Sequence, residues 1–373
     1  MSSHSLMSEF THEPVLLERT LELLVSDRDG LYLDATVGLG GHAHGLLSAL
    51  SAQGRVVGLD MDPEALALAG ERLSPFAGRF TLLQGNFRDL DKILRQEGLF
   101  PLAGALFDLG VSSLQFDKAS RGFAIRREGP LDMRLDPNNP LTASRILNEW
   151  PAEQIELLLR EYGEERQAGR IAKAVVRARE LKPLQTTGEL ASLVETLVPR
   201  GAGERIHPAT RTFQALRIAV NGELENLTRG LESALSLLRA GGRLAAITFH
   251  SVEDRIVKNI FKTAVSGGQC RWAGPDCVPP GPAEVALNPR AQRQAARVGE
   301  KVEGVNMMKS TMAVGSGQAL AALAMASTAA GFLPMRREVI SLTATSTVPA
   351  AGYVWRRVFL KALPPHRRGG FRG

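Results

Sequence analysis

The amino-acid sequence predicts an open α/β fold with a helical domain inserted into it. Three observations lead there. Over the first 110 residues, short apolar runs alternate with helical patterns, the mark of βαβ units and a parallel sheet. From about Asp117 to His207 the alternation stops, and the chain reads as helical and charged. After a long helix starting near Pro208 the α/β signal returns, with a strand at Arg243–Phe249. The expected division is a core in two parts, 1–116 and 208–305, a helical insertion at 117–207, and a basic extension at 306–373.

The elements follow in order. Leu31–Ala35 is the first strand, leading through a glycine-rich turn into a helix from about His42 to Leu50. Val56–Asp60 is the second. Asp62 then reads as an N-cap with Pro63 at the first helical position, where its missing N–H costs nothing. Phe80–Leu83 and Ala105–Leu109 are the third and fourth strands. Turns are marked at Gly129-Pro130, Asp136-Pro137 and Lys182-Pro183. The last helix opens at Ser251, where Ser251-Val252-Glu253-Asp254 has the pattern of a capping box.

Composition sets limits. The chain has 373 residues, 44% hydrophobic and 23% charged, enough for a sizeable core. Cys270 and Cys277 lie seven apart with no second pair, a spacing that suits neither a zinc site nor a disulfide framework; no metal is expected. Residues 1–14 have no apolar core segment, so a cytoplasmic location is the default. Ser310–Met335 carries no charge but is diluted by glycines and hydroxyls, and no membrane span is assigned to it. The net charge of +6 is uneven: residues 290–373 hold 13 Lys/Arg against 3 Asp/Glu, the rest 32 against 36. Bulk basicity thus says little about the body of the protein.

The first turn carries the strongest local chemistry. Thr36-Val37-Gly38-Leu39-Gly40-Gly41-His42-Ala43 lets the backbone approach a ligand closely at a helix start. Asp60 ends the second strand twenty residues after Gly40, where a carboxylate accepts ribose hydroxyls. Together they indicate an adenosine-containing ligand. Gly38, Gly40 and Ala43 also fit the G-x-G-x-x-G/A fingerprint, so an NAD(P)-dependent oxidoreductase stays open as an alternative.

Further blocks narrow the choice: His12-Glu13-Pro14-Val15-Leu16-Leu17, Asp108-Leu109-Gly110-Val111-Ser112-Ser113 with Gln115, Arg121-Gly122-Phe123, and Gly129 to Arg134. Tyr162 to Arg166, His207 to Ala215 and Phe249-His250-Ser251 continue them. In this order they resemble the ribosomal RNA small subunit methyltransferase H family, formerly called MraW. The resemblance implies a Rossmann-like S-adenosylmethionine-dependent methyltransferase core with an inserted helical domain. It also implies methylation of N4 of a cytidine in the decoding region of 16S rRNA, on free RNA or on the small ribosomal subunit. Cofactor contacts carried over from the family fall on Gly40, Gly41, His42, Asp60, Phe87, Asp108 and Gln115. A catalytically silent assembly factor is the second alternative. One departure stands out: after Asn288-Pro289-Arg290-Ala291 comes Gln292-Arg293, and the chain runs on past Val305.

No catalytic base is fixed by the sequence; Asp108 and His250 are the candidates, and His207 reads as structural. Two basic groups are candidates for RNA. Arg166, Arg170, Lys173 and Arg177 share a helical face by spacing, with Glu165 and Glu180 nearby. Lys118, Arg121, Arg126 and Arg127 follow Gln115 directly, and position favours this second group. Oligomeric state is left open.

Overall fold

The computed structural model describes residues 14–198, 206–287 and 294–303. The expected extension at 306–373 lies outside them. Seven strands form one sheet: β1 (Leu31–Asp34), β2 (Arg55–Asp60), β3 (Phe80–Gln84), β4 (Leu102–Asp108), β5 (Leu238–Thr248), β6 (Cys270–Trp272) and β7 (Ala295–Lys301). Their order is β3-β2-β1-β4-β5-β7-β6. The first five strands are parallel, while β7 runs antiparallel to both its neighbours. A dinucleotide-binding fold with strand order 3-2-1-4-5-6 lacks such a reversed strand, so the topology argues against the oxidoreductase reading.

Strand residues alternate between two apolar layers, as the period of two requires. Tyr32, Val56, Leu106 and Ala245 join one core with Leu46, Leu47, Ala69 and Leu73. Those residues come from α1 (Leu17–Leu24), α2 (Gly41–Ala49) and α3 (Pro63–Leu73) or pack against them. Leu33, Val57, Phe107 and Ala246 turn the other way, toward α4 (Leu90–Gln96), and toward helices that follow much later in the chain.

Between β4 and β5 lie α5 (Ser113–Asp117), α6 (Ala143–Glu149), α7 (Ala152–Gly163), α8 (Ala168–Leu181), α9 (Thr187–Glu195), α10 (Thr210–Asn221) and α11 (Glu223–Leu237). Most of this stretch has its own core, with Ile146, Leu159, Ile171, Val175, Leu190 and Leu216 buried together. The expected long helix from Pro208 is two helices. They are divided at Gly222, whose φ of 61° is left-handed and open to glycine without strain. α11 then packs on the second sheet face beside α12 (Ser251–Ser266). α13 (Pro282–Leu287) completes the helices among the described residues.

The cap of α12 differs from expectation. His250, not Ser251, is the N-cap: its Nδ1 accepts the Glu253 N–H at 3.3 Å, and Glu253 returns the contact to the Phe249 N–H at 2.9 Å. Ser251 is drawn away, its hydroxyl donating to Glu164 Oε2 at 2.5 Å. Cys270 is buried in β6 and Cys277 is half-buried, both as free thiols.

Candidate active site

In an open parallel sheet, ligands bind beyond the carboxyl ends of the strands, at the point where strand order reverses. Here that point lies between β1 and β4, which pair with each other. Three strands end there in aspartate: Asp34 on β1, Asp60 on β2 and Asp108 on β4.

The loop leaving β1 is fastened to all three strands. Ala35 donates to Leu106 O at 2.8 Å, and Val37 to Leu59 O at 3.0 Å. The Thr36 hydroxyl accepts the Asp108 N–H at 2.7 Å, and Gly38 donates to Asp60 Oδ2 at 2.9 Å. Gly38 and Gly40 have φ of 50° and 77°, which a side chain would strain. At Gly41 the reason is contact: a Cβ there would lie 2.5 Å from the ring of Pro14. α2 starts from Gly40 with no side-chain cap, leaving its first amides and its positive dipole end for an anion.

Beneath the loop lies a buried cluster. His42 is 4% exposed and Asp34 is 1% exposed. His42 Nε2 stands 3.1 Å from Val15 O, and its Nδ1 stands 3.3 Å from Asp108 Oδ2. A carbonyl only accepts, so Nε2 carries a hydrogen and Nδ1 is the atom facing Asp108. Burial opposes charge on His42, but Asp108 and Asp34 outweigh it and lift the imidazole above its usual pKa. Burial pushes Asp34 up to about 7, with His42 pulling it down and Asp108 adding to the rise. Asp34 Oδ2 and Asp108 Oδ1 are both buried and without a hydrogen-bond partner. Such oxygens are costly unless a donor or a cation meets them.

The fold brings Gly40, Gly41, His42, Asp60 and Asp108 to one edge. Burial raises Asp60, although its two oxygens each accept a backbone amide, from Gly38 and from Asp62 at 2.9 Å. Phe87 opens the turn after β3, half-buried, with its ring edge-on to Phe107 at 5.6 Å. Gln115 is buried and engaged: it accepts from Ser112 N at 2.9 Å and donates to Asp62 Oδ2 at 3.2 Å. Asp62 also takes Arg121 at 2.9 Å, so Gln115 and Arg121 brace the start of α3. Sequence reasoning gave Asp34 no role, yet its signal was present, since three buried strands each end in Asp.

His250 follows β5, the neighbour of β4, with Asp108 level with Ile247. Its Nε2 lies 2.9 Å from Glu253 Oε1 without a hydrogen bond being formed. Glu223, His250 and Glu253 have the donor atoms of a cation site, but Arg217 already lies 2.7 Å from Glu223 and 3.7 Å from Glu253. His207 Nδ1 accepts from Ala209 N at 3.1 Å, and its Nε2 lies 3.0 Å from Glu195, a structural placement.

The family model described as the MraW methylase family matches residues 9–301. The ribosomal RNA small subunit methyltransferase H of Symbiobacterium thermophilum is 52% identical over 272 residues, covering 73% of this chain and 83% of that protein. The protein of the same name from Heliobacterium modesticaldum is 47% identical over 310 residues, covering 79% and 99%. Among solved structures, an rRNA methylase from Streptococcus thermophilus aligns with TM-score 0.37 and 15% identity, covering 77% of this chain and 93% of that one.

Fold and matched sequence define an S-adenosylmethionine-dependent methyltransferase with a Rossmann-like core. The chain belongs to the MraW methylase family. Neither the oxidoreductase nor the silent assembly factor is favoured. The residues fit the cofactor. Its cationic end suits the buried Asp34 carboxylate with its unpartnered oxygen, and its carboxylate suits the uncapped start of α2.

Proposed function

We propose that this chain methylates N4 of a cytidine in the decoding region of 16S rRNA, on the RNA or the small ribosomal subunit, in the cytoplasm. Relatives named ribosomal RNA small subunit methyltransferase H support the substrate. No helix among the described residues is long and apolar enough to cross a membrane. The observation that carries the chemistry is Asp108, with one oxygen held against His42 and the other unpartnered.

Cytosine N4 is a poor nucleophile because its lone pair is delocalised into the ring. When bound, the donor supplies a methyl already activated by a positive sulfur. The protein's task is alignment, which supplies about 7–11 kcal/mol in favourable cases, together with handling one proton. Asp108 Oδ1 accepts an N4 hydrogen, drawing the amine out of conjugation as its lone pair turns to the methyl. With the C–N bond formed, and the methyl–sulfur bond broken to leave a neutral thioether, that proton would pass to the Asp108–His42 pair and then to solvent. Val15 O fixes the ring of His42, so Asp108 keeps its direction. A cytidine within folded RNA leaves its stack to reach this edge, with His250 as the candidate contact to the base. Asp60 takes the ribose, and Phe87 offers its open side to the adenine.

The test incubates small subunits lacking N4-methylcytidine with labelled donor, then maps the product by mass spectrometry. Label on N4 of one decoding-region cytidine is expected. Label on another atom or another RNA region would overturn the assignment.

A further inference from the structure

The body of this protein is acidic, with 32 Lys/Arg against 36 Asp/Glu over residues 1–289. A polyanion therefore has to find a local surface where cations are not already neutralised. The two basic groups differ in that respect. Lys118 pairs with Glu64, Arg121 with Asp62 and Arg127 with Asp117. Of that group only Arg126 has no carboxylate partner among the described residues. Arg166, Arg170, Lys173 and Arg177 are all exposed, and none meets a carboxylate among the described residues. Arg170 reaches only the Gln167 side chain, at 3.4 Å.

The geometry orders them into a stripe. The opposite face of α8 is buried through Ala168, Ile171, Ala172 and Val175, which fixes the direction of the charged face. Arg170, Lys173 and Arg177 recur at three and four residues, the spacing of neighbours on one helix surface. They span about 10 Å at 1.5 Å per residue. Arg166 is in the turn just before α8 rather than on the helix. Glu165, which would have neutralised it, is 4% exposed and accepts its own loop's Gln167 N–H at 2.8 Å. Glu180 remains exposed beyond the last cation.

The stripe begins beside the active-site edge. Glu164, two residues before Arg166, binds Ser251 and Arg255 at 2.5 Å each, immediately after His250. We propose that Arg166 and the outer face of α8 are where the phosphate backbone of the RNA substrate docks, leading the target nucleotide toward the carboxyl edge of β4 and β5. This rests on the proposed rRNA substrate. It reverses the preference that chain position alone gives to the group at 118–127.

The test compares wild type, an Arg170→Ala/Lys173→Ala/Arg177→Ala triple variant and a Lys118→Ala/Arg127→Ala double variant. Binding to 16S rRNA without donor is measured against salt, alongside S-adenosylhomocysteine affinity and melting temperature. Each lost phosphate contact on an RNA strand flattens the log–log salt slope by about 0.7–0.9. The triple variant should therefore lose roughly two slope units, with melting and S-adenosylhomocysteine affinity unchanged, while the double variant changes less. Unchanged RNA affinity and slope in the triple variant would overturn the docking surface. Weaker binding with an unchanged slope overturns it as well, because the contact would then not be to phosphate. A wild type that binds RNA through the stripe but methylates none leaves the surface standing and removes the proposed chemistry.

Discussion

At the end of β4, Asp108 meets His42 beside Asp34; past the end of β5, Arg217 meets Glu223 and Glu253, and Glu253 meets His250. Each cluster has a buried acid, Asp34 in one and Glu253 in the other, and the strands beside them are neighbours in the sheet. They are satisfied very differently. Arg217 makes paired contacts of 2.9 and 2.7 Å with Glu223, while Glu253 caps α12 through the Phe249 amide. Burial opposes the charge on both Glu253 and Arg217, yet their partners hold the acid below its usual pKa and the guanidinium above. In the first cluster two carboxylate oxygens have no partner, and Asp34 is pushed up to about 7. A closed cluster anchors the fold; an open one waits for a ligand.

Asp108→Asn breaks the comparison at its open end. It keeps the shape and removes the proton acceptor, so turnover should fall by about 10²–10⁴-fold, the usual span for a positioned base. Melting should stay close to wild type. Equal turnover would move the base elsewhere.

Arg217→Ala breaks the closed end. Buried Glu253 and half-buried Glu223 would lose their cation, a defect that costs about 3–5 kcal/mol when one partner of a buried pair is removed. Chemical denaturation measures it. A loss under 1 kcal/mol would mean that water reaches the cluster.

Asp34→Asn sharpens the contrast through pH. Burial raises Asp34 from 3.8 to about 7, so the folded chain binds this proton more tightly than the unfolded chain. The contribution of Asp34 to stability is therefore fully present below about pH 4, is lost through the interval, and levels off above about 7. At 1.36 kcal/mol per unit the upper bound is about 4 kcal/mol. His42, raised in part by Asp34 itself, changes stability in the same direction, so the difference between the two proteins reports Asp34 together with its effect on His42. The Asn variant should gain on wild type between pH 4 and 7; parallel denaturation curves across that range would refute the open-cluster account.

The two ends of the sheet also differed in how legible they were. Leu31–Asp34, Arg55–Asp60 and Leu102–Asp108 are apolar runs closed by an acid, and they read directly as buried parallel strands. β7 did not, because Ala295–Lys301 is rich in small residues and interrupted by Arg297. Its burial comes from distant partners: Arg297 is 4% exposed and held by Asp254 at 3.0 Å. The same limit hid the neutralisation of Lys118 and Arg121, whose acids lie on the start of α3. Local spacing found the glycine loop and Asp60, since a turn and a strand end are local. It could not show that His42 turns inward to Asp108, a contact between residues 66 positions apart.

His250 lies against Glu253 in the second cluster, and its variants carry the smallest expected effect on stability. As N-cap it accepts the Glu253 amide through Nδ1, while its Nε2 has no hydrogen-bond partner. His250→Ala should cost about 1 kcal/mol, the usual loss of a cap. His250→Asn restores a capping oxygen but offers nothing at the position of Nε2. If that nitrogen meets the base, the Asn variant recovers the melting temperature while its KM for RNA stays raised and its donor affinity stays normal. Recovery of melting and KM together would make His250 part of the closed cluster alone, and the contact with the base would have to come from β4.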